Sequence, residues 1–344
     1  TGFTIDEDAP YYTVQDGVVY NKELTKIASF PRERTEYTAP ETITSIDPKT
    51  FAYAKLQSVT LPEGITEIPE QAFYRCLSLE TVNLPDSVQT IGKNVFRECQ
   101  SLGFIRLPQS LQTIGAVAFG HCDALEHVAF PDGLQEIGEG AFCDCVSLRE
   151  IILPDSVTKL GTSVFSGCTA MRKLRLSAGL TEVECEKSWL CWDGLEGYDE
   201  NNEPIYGGGA DVVYNSIVSG CDSLETLIIP KEITKIGEGT FMEQPIRDTW
   251  YTGTEEEFLL LLQNEQPNEY GTVHYGYDES SELPGDLTLD NEFSVLDVVY
   301  MQRYLHGLYS LNGAAFQNAD LNGDETVDVF DFALMKRALV NGTV

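Results

Sequence analysis

The chain has 344 residues, 55 of them acidic and 22 basic, for a net charge of −33. A surface that acidic repels phosphate backbones and anionic lipid, which makes nucleic acid and membrane poor partners. No apolar run approaches the roughly 20 residues of a membrane helix, and the length prior allows about two domains.

The chain opens at Thr1-Gly2 with no leader pattern, so a mature or trimmed secreted protein is expected. Val14 to Tyr20 reads as a hairpin with an Asp16-Gly17 turn, an N-terminal cap within residues 1–34. From Thr35 to Met242 a 23-residue period takes over. Leu-Pro recurs at Leu61-Pro62, Leu84-Pro85, Leu107-Pro108 and Leu153-Pro154, with Phe130-Pro131 and Ile229-Pro230 as variants. Phenylalanine keeps one phase at Phe73, Phe96, Phe119, Phe142, Phe165 and Phe241. Ile-Gly keeps another at Ile91-Gly92, Ile114-Gly115, Ile137-Gly138 and Ile236-Gly237.

One unit is too short to bury its own apolar side, so units must stack into a solenoid with a continuous core. The alternating stretch before each Leu-Pro predicts a short strand, and successive strands a parallel sheet. The proline lacks an N–H and ends the ladder locally. The phenylalanine segment predicts a short helical turn on the opposite side. Nine cysteines cannot all pair within one chain. Cys76, Cys99, Cys122, Cys145 and Cys168 follow the period, and Cys221 lies one period plus a 30-residue insertion further on. One repeat phase predicts a ladder of free, buried thiols. These motifs together resemble the BspA-type leucine-rich repeat, over about seven to eight units. The expected fold class is a leucine-rich-repeat solenoid across residues 35–265, of parallel short strands with short helical turns.

In each strand the residues alternating with the core positions should point outward. They include Phe104, Arg106, His127, Lys173 and Arg175, an unexpected stripe in a region whose charge is about −27 once the C-terminal module is set aside. Two readings stand: ordinary surface variation, or a contact face for an acidic or carbohydrate partner. The insertion, about residues 185–214, holds Trp189, Cys191, Trp192, Tyr198 and Tyr206. It is either a loop packed on its neighbouring unit or an aromatic platform for sugar or protein, and Cys185 and Cys191 are close enough in sequence for a local disulfide. Residues 246–265 read as a C-terminal cap, a strand at Thr249-Trp250-Tyr251 followed by a helix capped at Thr254. Residues 266–284 read as a flexible linker.

Residues 285–344 carry one acidic loop twice. Asp286, Thr288, Asp290, Glu292, Ser294 and Asp297 stand at positions 1, 3, 5, 7, 9 and 12. Asp320, Asn322, Asp324, Thr326, Asp328 and Asp331 repeat that register 34 residues later. Side-chain oxygens at five positions and a backbone carbonyl at position 7 can surround Ca²⁺ with hard ligands. An apolar helical stretch follows each loop, Val295 to Leu305 and Val329 to Val340. Asp at position 12, and a helix only on the C-terminal side, resemble a dockerin module: small, all-α, with two EF-hand-like loop–helix repeats. The resemblance implies two Ca²⁺ ions, one per loop, and a scaffold cohesin as partner. By that resemblance the cohesin contacts are Val295, Leu296, Gln302 and Arg303 in the first repeat, and Val329, Phe330, Lys336 and Arg337 in the second. Thr288 and Glu325 depart from the family's usual Asp or Asn and Gly.

The four histidines are dispersed at His121, His127, His274 and His306. No Gly-x-Ser-x-Gly elbow, His-Glu-x-x-His helix or phosphate-binding glycine loop occurs. Cys143-Asp144-Cys145 is a weak metal signal, because Cys145 already belongs to the ladder. These absences point to a non-catalytic chain, and the dockerin resemblance implies a secreted component of a cellulosome-like complex. Its solenoid would recognise protein or, alternatively, plant cell-wall polysaccharide; a hydrolase site in the insertion ranks below both.

Overall fold

The computed structural model describes residues 3–6, 9–183, 186–188, 195–198, 204–206, 213–237, 239–241, 244–262, 267–277, 287, 293, 295–305, 318–321 and 326–341. At the N-terminus, strands Tyr12–Gln15 and Val18–Asn21 pair antiparallel across Asp16 and Gly17. Both turn residues have positive φ, 49° and 77°, as a two-residue hairpin turn matched to strand twist requires. Lys26–Ser29 pairs antiparallel with this hairpin and parallel with Ser45–Ile46, so the cap hands the chain over to the parallel direction of the repeats.

The strand before each Leu-Pro is three residues long, with its central side chain buried. Glu36–Thr38, Ser58–Thr60 and Thr81–Asn83 form one parallel ladder. A second ladder begins Phe104–Arg106, His127–Ala129, Glu150–Ile152, Lys173–Arg175 and continues through Thr226–Ile229 to Asp248–Tyr251. Ile151 pairs with Leu174 and Leu174 with Leu227, so the unit across the insertion keeps its register.

A further parallel sheet, not anticipated from the sequence, runs along the Ile-Gly positions. Its strands are only two residues each: Glu67–Ile68, Thr90–Ile91, Thr113–Ile114, Glu136–Ile137 and Lys159–Leu160. The glycine explains how repeats approach so closely there. A Cβ on Gly138 would lie 2.6 Å from the Ala116 nitrogen, and one on Gly161 2.3 Å from the Glu139 nitrogen.

The phenylalanine segments form tight turns on the remaining side. From Phe51 to Phe165 each turn carries two left-handed residues four apart, such as Gln71 and Arg75, Asn94 and Glu98, and Val117 and His121. Neighbouring turns are joined by backbone hydrogen bonds, Phe96 N–H to Ala118 O at 2.7 Å and Phe119 N–H to Ala141 O at 2.7 Å. Inside, the rings of Phe51, Phe73, Phe96, Phe119, Phe142 and Phe165 stack with centroids 4.8 to 5.9 Å apart.

The cysteine ladder lies beside that stack and is free of disulfides at all seven described thiols. Each of the six in-phase thiols donates to the phenylalanine carbonyl behind it, for example Cys145 Sγ to Phe119 O at 3.1 Å. Cys221 Sγ reaches Phe165 O at 3.1 Å, which closes the ladder over the insertion. Burial pushes the Cys76 and Cys221 thiols up to about 12, so they remain protonated and unreactive. Cys143 and Cys145 are both buried, and burial likewise pushes the Cys143 thiol up to about 12.

Within the insertion, Glu186–Ser188 pairs antiparallel with Val213–Asn215, and Leu195–Tyr198 with Pro204–Tyr206. Trp189, Trp192, Cys185 and Cys191 lie outside the described residues. At the C-terminal end of the solenoid, helix α1 (Glu255–Leu262) follows strand Asp248–Tyr251. Its first turn is closed reciprocally: Thr254 N–H donates to Glu257 Oε2 at 2.8 Å, and Glu257 N–H to Thr254 Oγ1 at 3.3 Å.

One boundary needs correction. Residues 267–277 are not linker. Pro267–Tyr270 is a 3-10 turn, and Thr272–Tyr275 extends the main sheet in parallel with Asp248–Tyr251. Tyr270 is wholly buried against Phe241 and Phe258, and His274 stacks on Trp250 with centroids 4.0 Å apart. The polar composition of the segment hid these aromatic anchors. Beyond it lie helices α2 (Val295–Leu305) and α3 (Val329–Asn341), which pack against each other.

Candidate functional site

The two C-terminal helices begin where the acidic loops end, and at α3 the loop carboxylates themselves cap the start. Asp328 Oδ1 accepts the Phe330 N–H at 2.7 Å, and Asp331 Oδ2 accepts the Asp328 N–H at 3.0 Å. That is an acidic version of the reciprocal helix cap. In the first repeat, Asp297 Oδ1 accepts the Leu287 N–H at 2.9 Å and so ties the loop's second residue to its twelfth. Leu287, Val298, Tyr300, Met301, Ala319, Val327 and Met335 form the module's small core.

Asp297 and Asp331, both at position 12, are 0% exposed. An ionised carboxylate leaves water only against compensating donors or charge. The backbone N–H groups supply part of it, and a hard cation such as Ca²⁺ is the kind of charge that carboxylate oxygens take. Asp320, Asp328 and Thr326 are also described; Asp286, Thr288, Asp290, Glu292, Ser294, Asn322, Asp324 and Glu325 lie outside the described residues. The described residues alone gather no group of three His, Cys, Asp or Glu side chains fit to hold a metal.

The residues matched to cohesin contacts are unequal in setting. Val329 and Phe330 open α3 with 63% and 69% of their surface exposed, and Lys336 and Arg337 stand exposed two turns on. In α2, Gln302 is exposed but Arg303 is half-buried. The Val295 and Leu296 side chains lie outside the described residues.

On the solenoid, the stripe residues lie on adjacent strands as expected, but they do not form a free basic surface. Arg106 bridges to Asp86 at 3.1 Å, Lys173 to Glu150 at 3.6 Å and Arg175 to Asp155 at 2.8 Å. The Arg106 hydrogen bond holds the Asp86 carboxyl below the usual carboxylate range. Lys173 and His127 are buried, and Phe104 is half-buried. Two of these residues touch the C-terminal module. The Tyr300 hydroxyl is hydrogen-bonded to His127 Nδ1, with the rings edge to face at 5.2 Å. The Arg303 guanidinium lies over the Phe104 ring at 5.8 Å. Burial pushes His127 down to about 4, and the Arg303 charge adds to the shift.

Residues 31–123, 90–187 and 209–252 match the model of the BspA type leucine rich repeat region in six copies. The chain belongs to that family. Residues 284–340 of this BspA-type protein match the dockerin type I domain. Dockerin type I domains bind calcium and imply a cohesin partner of the cellulosome type, while leucine-rich repeats imply protein interaction. Neither module is typically catalytic. Among solved structures, a leucine-rich repeat protein from Bacteroides ovatus is similar at 25% identity and a TM-score of 0.52, over 72% of this chain and 58% of that one. This chain thus spans less than two thirds of that relative's length. A leucine-rich repeat protein from T. pallidum is similar at 23% identity and a TM-score of 0.46, over 78% of this chain and 99% of that one. No curated protein matches the chain. No helix among the described residues is long and apolar enough to cross a membrane.

Proposed function

We propose that this protein is a secreted, non-catalytic component of a cellulosome-like complex. Its dockerin holds two Ca²⁺ ions, one per loop, and grips a scaffold cohesin, while the solenoid recognises another protein. The observation that carries the reading is the exposed apolar pair Val329-Phe330 at the mouth of the second loop, with Lys336 and Arg337 beside it. Large apolar side chains left in water, flanked by cations, are the composition of a protein-binding surface. Loop carboxylates at positions 1, 5 and 12, joined at position 9 by Ser294 in the first loop and Asp328 in the second, would supply the hard oxygens, and the ions would set the angle at which α3 presents its pair. The polysaccharide reading of the solenoid gains no support from the stripe, whose cations are already matched by carboxylates.

Isothermal titration of a type I cohesin module into the full chain tests the reading. Binding is expected with Ca²⁺, none with chelator, and a loss of about tenfold or more for Phe330→Ala, the scale of a buried aromatic contact. Binding that ignores chelator, or no heat on adding Ca²⁺ to the chelated protein, would defeat it.

A further inference from the structure

We propose that the solenoid face around Phe104 and His127 is a seat for α2 of the chain's own dockerin, so that the first repeat is covered and a cohesin engages through the second. This rests on reading the C-terminal module as a cohesin-binding dockerin. Tyr300 and Arg303 are one helical turn apart and therefore share a face of α2. Phe104 and His127 are register partners on adjacent strands, so they share a face of the sheet. Each pairs with one of the other two: the Tyr300 hydroxyl with His127, the Arg303 guanidinium with the Phe104 ring. Tyr300 is 4% exposed and His127 is 6% exposed, so water is largely excluded from the hydrogen bond between them.

The duplication within the module provides an internal control. Tyr300 corresponds to Leu334, and Arg303 to Arg337, in the 34-residue register. Leu334 is 37% exposed and Arg337 is exposed. The two repeats thus carry the same arginine, but only the covered one carries a tyrosine able to bond to an imidazole. The other repeat keeps the apolar ends Val329 and Phe330 in water. A symmetric module would offer a cohesin either repeat; here the solenoid engages Tyr300 and Arg303 of the first, with Gln302 left exposed at the edge of the seat.

Hydrogen–deuterium exchange on the calcium-loaded full chain decides the seat without any cohesin. Phe104→Ala with His127→Ala, and separately Tyr300→Leu, the residue the second repeat already carries, are both expected to speed exchange at 299–304 about tenfold. Exchange at 330–339 should be unchanged, which shows that the module remains folded. Equal rates at 299–304 in wild type and both variants overturn the seat. Orientation is read by binding to an immobilised type I cohesin module. Val329→Asp with Phe330→Asp should abolish binding in the wild-type background and leave measurable binding in the Tyr300→Leu background, where the first repeat is released. Equal loss in both backgrounds overturns the orientation. A wild-type chain that binds no cohesin removes the dockerin reading, and the exchange result then still decides the seat.

Discussion

The solenoid and the dockerin solve the same stability problem by opposite means. From Val18 to Tyr270 the solenoid has one continuous core, in which each ring and thiol is covered by the repeats before and after it. Removing a layer costs its neighbours as much as itself. The dockerin's described core holds seven buried residues, and two of its buried side chains are carboxylates. A module that small lacks the apolar area to fold on hydrophobic burial alone. The difference teaches that calcium should be structural in one half and irrelevant in the other. Chelation of the full chain is expected to abolish the helical signal of residues 285–344 and leave the sheet signal intact, as circular dichroism and two separate thermal transitions would report. A ligand present at a thousand times its Kd stabilises by about 4 kcal/mol, enough to decide the fold of such a module. A single transition unaffected by chelator would erase the contrast.

The reverse perturbation strikes the solenoid. Phe142 stacks on Phe119 and Phe165 and meets Phe130 edge to face. Phe142→Ala should cost about 3–5 kcal/mol. It should lower the solenoid transition while the calcium-dependent transition stays in place. Gly138→Ala should cost less, about 1–3 kcal/mol, because the new methyl meets backbone that can shift only by parting two repeats. If Gly138→Ala proves neutral in denaturant melts, close approach is not what the Ile-Gly phase is for.

The solenoid was legible in the sequence because a repeated unit writes its contacts repeatedly. Phe96 stacks on Phe73 and Cys99 reaches Phe73, and the 23-residue period announces both. Two features escaped for physical reasons. The Ile-Gly strands are two residues long, too short for alternation to register as a strand pattern. The last sheet strand, Thr272–Tyr275, sits among polar residues, and its anchors Tyr270 and His274 do not follow the period. The dockerin match was legible from the spacing of the two acidic stretches. The seat of α2 was not, since it joins residues 173 apart that belong to different modules. Its one trace was Tyr300 standing where the duplicate has Leu334.

The smallest expected effect is acid sensitivity at that seat. His127 is faced by Tyr300 and Arg303 from α2, by Glu150 on the next strand with Lys173 bound to it, and by Glu126 and Arg149. Burial first, then Arg303, holds it at about 4 against an ordinary value of 6.5. With its proton on Nε2 the neutral ring accepts from the Tyr300 hydroxyl. A protonated ring would place a second cation beside Arg303. A depressed value means that the stabilisation is complete above about pH 6.5 and is lost as pH falls toward 4. Carboxylates also titrate in that window, so the informative quantity is a difference. Between pH 6.5 and 4.5, exchange at 299–304 should accelerate more in the calcium-loaded wild type than in His127→Gln, whose amide carries no titrating proton. Parallel pH dependence in the two proteins would show that the imidazole does not govern the contact.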